Sequence, residues 1–116
     1  MREGQMQQEF SDPSEAQTQP EIERYYRHVA PGDPAAIRET QGHSLSFILT
    51  TIEAVSPRQG RVYLKKPASW GGTTFFMKSG KNYRSPTGQS RLVIPTPEVR
   101  AFAEEHPRGR MGWSKG

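Results

Sequence analysis

Residues 44 to 66 read SLSFILTTIEAVSPRQGRVYLKK, and no other stretch limits the fold as much. Two runs rich in β-branched and aromatic residues flank SPRQG, a five-residue turn signal. In the second run, Val62 and Leu64 alternate with Arg61, Tyr63 and Lys65, a period of two that puts apolar and polar side chains on opposite faces. A chain holding such a hairpin must build the rest of its core around a sheet. TTFFMK (73 to 78) and RLVIPT (91 to 96) are expected as a third and a fourth strand.

Helical periodicity occurs on either side of this β-rich centre. Ile22, Tyr25, Tyr26 and Val29 follow the i, i+3, i+4, i+7 spacing of one helix face, behind Pro20 and ahead of Pro31-Gly32. Asp33-Pro34 reads as the cap and first position of a short second helix closed by Gly42. Thr96-Pro97-Glu98 opens a C-terminal helix with Val99, Phe102 and Ala103 as its apolar stripe, stopped by Pro107. The expected fold is mainly β (α+β): a small bent antiparallel sheet, or an SH3-like or OB-like partial barrel, of about four strands with an N-terminal and a C-terminal helix. Residues 1 to 19, rich in Gln, Glu and Ser, read as a disordered acidic and polar segment. Residues 20 to 106 read as one small domain and residues 107 to 116 as a flexible basic tail.

Charge is divided along the chain. Residues 1 to 42 carry eight acids and four bases, whereas residues 43 to 116 carry twelve bases and four acids. The 44 residues from 54 to 97 contain no acid at all. A run of one sign on this scale implies an anionic partner. With no cysteine, thiolate metal sites and a cysteine nucleophile are excluded, and a cytoplasmic location is expected. No window is apolar enough for a membrane span, and the N-terminal residues do not form a secretory signal.

MKSGKNYRSPTGQSR (77 to 91) is the centre of the acid-free segment. Gly80-Lys81 invites comparison with a nucleotide P-loop, which Phe75 and Asn82 break. What remains is a looser anion-binding loop: Lys78, Lys81, Arg84 and Arg91 supply charge, and Asn82 and neighbouring hydroxyls supply neutral donors. Arg61, Tyr63 and Lys65 share a strand face, a ring between two cations, which suits stacking and phosphate contact in a single-strand binder. Lys66 extends that charge, and Trp70 and Tyr83 add rings in flanking loops. Pro107-Arg108-Gly109-Arg110 resembles the core of an AT-hook, which implies a minor-groove arm through Arg108 and Arg110; Met111 stands where that family has proline.

No catalytic residue is singled out. His28, His43 and His106 have no metal-ligand spacing, and no metal or cofactor is expected. A small nuclease assembled from His43, Glu53 and a basic clamp is one reading. The leading expectation is a non-enzymatic protein that binds DNA or RNA through its basic sheet face and loop. The alternative is an inhibitor or adaptor, of the kind phages and plasmids encode, docking its basic surface on an acidic groove of a larger protein.

Overall fold

In the computed structural model, which describes residues 11–65 and 73–112, local signals start the helices and long-range pairing sets the sheet. The first helix, α1 (Gln19–Arg27), opens on a capping box: the Thr18 hydroxyl accepts from the Glu21 N–H, and the Glu21 carboxylate accepts from the Thr18 N–H. Ile22 and Tyr26 are buried, while Tyr25 and Val29 pack partly buried beside them. The second helix, α2 (Pro97–Glu105), starts at Thr96, whose hydroxyl accepts from the Val99 N–H, and buries Val99 and Ala103.

Six strands make one antiparallel sheet: β1 (Pro34–Gln41), β2 (Ser44–Ser56), β3 (Arg61–Leu64), β4 (Thr74–Phe76), β5 (Arg91–Val93) and β6 (Arg110–Met111). The order is β4-β3-β2-β1-β5, with β6 added to the start of β2. The long strand β2 pairs with β1 from residue 44 to 51, then with β3 from 52 to 56. A register irregularity between Ile52 and Ala54 marks the change of partner, and a bulge of this kind bends and twists a strand. The sheet is therefore curled. Ile37, Leu64, Phe75, Met77 and Leu92 are wholly or almost wholly buried in its core. Tyr26 fastens α1 to β1 and β5, its hydroxyl donating to the Val93 carbonyl at 2.6 Å. Phe102 fastens α2 to β2, its ring edge-on to Phe47 at 5.4 Å.

One sequence expectation is corrected. Residues 34 to 41 form a strand, not a helix. The Asp33 carboxylate accepts from Ala30 N–H, behind it in the chain, and so closes a turn instead of capping a helix. The following Ala35-Ala36-Ile37 is buried without alternation, because β1 lies between β2 and β5 and is covered on both faces. The turn to β2 is a two-residue hairpin loop, Gly42-His43, with Gly42 at φ +61° in its first position.

Residues 12 to 17 touch the sheet and its flanks. Asp12 pairs with Arg38, Ser14 is buried, and Gln17 bonds both the N–H and the carbonyl of Ile94. Its side-chain amide thus supplies the two bonds a neighbouring strand would make there. The tail is also tied down in part, since Arg110 and Met111 pair with Leu45 and Ser44. No helix among the described residues is long and apolar enough to cross a membrane.

Candidate anion-binding face

The segment 77–91 joins the two edges of the curled sheet. The Phe76 N–H donates to Lys81 carbonyl, the Tyr83 N–H to Thr74 carbonyl, and the Leu92 N–H to Gly80 carbonyl. Phe75 faces Asn82 across one isolated bridge and Lys81 faces Arg91 across another. Residues 80 to 83 are therefore a short connecting rung between β4 and β5. Asn82 belongs to this closure and not to the surface: it is 6% exposed, and its Oδ1 accepts from the Arg84 N–H at 2.7 Å. Gly80 permits the closure, with φ +74° and its Cα turned toward the Arg91 side chain.

Cross-strand partners share a face, so the register orders the charges. Arg61 is opposite Phe76, Phe76 is bonded to Lys81, Lys81 is opposite Arg91, and Arg91 is opposite Arg38. Arg61, Phe76, Lys81, Arg91 and Arg38 thus form one row across the outside of the curl, at about 5 Å per strand spacing. Tyr63 and Tyr83 lie in the adjoining row on either side of Thr74. Tyr83 is 45% exposed; the Arg61 guanidinium lies 4.3 Å from its ring centre and the Phe76 ring 5.5 Å away.

Near its Arg38 end the row borders a groove of about 730 Å³. Arg38, Thr40, Lys81 and Arg91 line it together with the Gln41–His43 turn and Gly88-Gln89. The Thr40 hydroxyl donates to Gln89 Oε1 at 3.0 Å, which ties the loop to β1. Arg38 is matched by Asp12 at 2.7 Å, both side chains being largely buried. Among the described residues Lys81 and Arg91 have no such carboxylate. Burial, and after it the neighbouring Arg38 charge, lowers the Arg91 pKa from its ordinary value, with Asp12 opposing. The buried Nε atoms of Arg91 and Arg61 have no hydrogen-bond partner among the described residues.

The other expected contact residues are dispersed. Lys65 is exposed beyond the end of β3, and Arg84 is exposed in the loop that follows the rung. Lys78 is exposed on the far side of the Gly80 turn and lines a separate hollow with Arg58, Gly60 and Phe76. Arg108 is exposed in a turn, while Arg110 sits in β6, opposite Leu45, which is itself opposite Thr40 of the groove. Pairing in β6 makes Arg110 part of the sheet and not of a free AT-hook-like arm. Lys66 and Trp70 lie outside the described residues. Sequence reading missed Arg38, because a helix over 33 to 42 would have turned it away from Arg91; the Gln41-Gly42-His43-Ser44 hairpin signal could have found it. It also missed Asp12.

His43 and Glu53 are ten positions apart, toward opposite ends of β2, so they do not assemble an acid–base pair. Among the described residues no group of three or more His, Asp or Glu could hold a metal ion. The chain matches no protein-family model, no characterised protein and no solved structure.

Proposed function

We propose that the chain is a non-enzymatic, cytoplasmic nucleic-acid-binding protein built on an SH3-like or OB-like curl. The observation that carries this reading is the row Arg61, Lys81, Arg91 and Arg38, with Tyr63 and Tyr83 beside it. Cations at strand spacing can follow a phosphate backbone, and half-exposed rings beside them offer faces for unpaired bases. Base identity plays little part, since phosphate contacts position a strand without reading it.

Titration of labelled single- and double-stranded oligonucleotides at several salt concentrations tests this. If Arg61, Lys81 and Arg91, the cations of the row that Asp12 does not hold, each meet a phosphate, log K for a single strand falls with log salt at a slope of about −2, from roughly 0.7 per contact. Absence of binding at low salt refutes the proposal. Should an acidic protein instead co-purify in stoichiometric amount through nuclease and salt, that protein replaces nucleic acid as the partner.

A further inference from the structure

We infer that the groove beside Arg91 is a phosphomonoester site, which on the nucleic-acid reading takes the terminal phosphate of a strand. The charge balance comes first. Asp12 offsets one of the three cations Arg38, Lys81 and Arg91, so the groove keeps a net of two positive charges among the described residues. A phosphomonoester at neutral pH brings close to two negative charges, whereas an internal phosphodiester brings one. A carboxylate also leaves one of the two charges unmatched.

Neutral donors follow the same pattern. Gln89 accepts the Thr40 hydroxyl on Oε1, which leaves the two hydrogens of its Nε2 without a partner among the described residues. His43, exposed in the two-residue turn, faces the groove from the other wall. Arg91 lines the groove between Lys81 and Arg38. Guanidinium, ammonium, amide and imidazole around one groove match an anion with several acceptor oxygens. The Thr40–Gln89 bond joins the two walls, which suits the end of a strand better than its passage through.

Asp12 is the internal counter-charge of this site. Its Oδ2 is bound to Arg38, and its Oδ1 accepts from the Ser14 N–H at 2.8 Å and the Ser14 hydroxyl at 2.7 Å. Asp12→Asn keeps an oxygen for the Ser14 bonds and removes the charge. It therefore raises anion affinity, roughly three- to tenfold for one charge on a neighbouring residue in a half-exposed site.

The test uses the full chain and two sources of phosphate. Inorganic phosphate is titrated while the Arg91 Nε–H and His43 ring signals are followed by NMR. In parallel, a short oligothymidine with a phosphorylated end is compared with the same strand bearing hydroxyl ends. The expected result is movement of both signals, and an end-phosphate preference of roughly fivefold or more that Lys81→Gln and Gln89→Ala each reduce. Asp12→Asn should tighten phosphate binding. Free phosphate in the groove with no oligonucleotide binding would keep the site and overturn nucleic acid as its source. Equal binding of both oligonucleotides, with the Arg91 signal unmoved by phosphate, would overturn the site and leave the nucleic-acid reading standing.

Discussion

Replacing Tyr26 with phenylalanine tests how the sheet is held at its β1–β5 edge. The Tyr26 side chain is 0% exposed, and its hydroxyl joins two strands. It donates to the Val93 carbonyl at 2.6 Å and accepts from the Ala36 N–H at 3.2 Å. Ala36 and Val93 are themselves fully buried, so water cannot take the place of the hydroxyl. A buried polar group left without its partner costs about 1–3 kcal/mol, so two of them put Tyr26→Phe at about 2–6 kcal/mol. That is a large share of the roughly 5–15 kcal/mol that holds a domain folded. Urea denaturation should show a lower midpoint at unchanged slope. A loss below about 1 kcal/mol would refute the argument that the hydroxyl completes both strands.

The same group predicts an alkaline effect. Burial raises the Tyr26 pKa far above its ordinary value, the bond to Ala36 opposing. Its proton is bound more tightly in the folded than in the unfolded chain. The stability this contributes is complete below the unfolded value of about 10 and is lost as pH rises from there through the folded value. The stability gap between wild type and Tyr26→Phe should therefore narrow above about pH 10, and a gap constant across that range would show that the hydroxyl does not ionise on unfolding.

Two further substitutions test the closure and the ring beside the cationic row. Gly80→Ala places a Cβ 3.2 Å from Arg91 Cγ and 3.5 Å from the Leu92 carbonyl, at φ +74°. It should cost about 1–2 kcal/mol in thermal or urea unfolding, and full retention of stability would show that the rung is not a tight junction. Tyr83→Ala should weaken single-strand binding by about 1–3 kcal/mol with an unchanged far-ultraviolet dichroism spectrum, and equal affinity would remove Tyr83 from the interface.

The legible parts of this protein are those with local causes. Thr96 starts α2 through its own hydroxyl, and the spacing of Ile22 and Tyr26 marks the buried face of α1 before any fold is known, whereas the Thr18 cap lay in a segment read as disordered. The alternation of Arg61, Val62, Tyr63 and Leu64 assigns each side chain its face of β3. Residues 33 to 42 deceived because Asp-Pro followed by alanines satisfies helix rules, while the pairing of β1 with both β2 and β5 overrides propensity in the interior of a sheet. The segment 77–91 read as an anion-binding loop throughout, since nothing local distinguishes a loop from a rung that bonds two distant strands.

By itself, then, the amino-acid sequence determined a small β-rich chain with two flanking helices, an acid-free basic stretch and the two-face pattern of its central hairpin. These follow from period, capping and charge, which act over a few residues. Only the tertiary structure decided that Arg61, Lys81, Arg91 and Arg38 share one row, that Asn82 is internal, and that Asp12 reaches across 26 positions to Arg38. Those outcomes depend on strand register and on the closing of a curled sheet. Register is chosen by which apolar faces can be buried together, and that choice involves the whole chain at once.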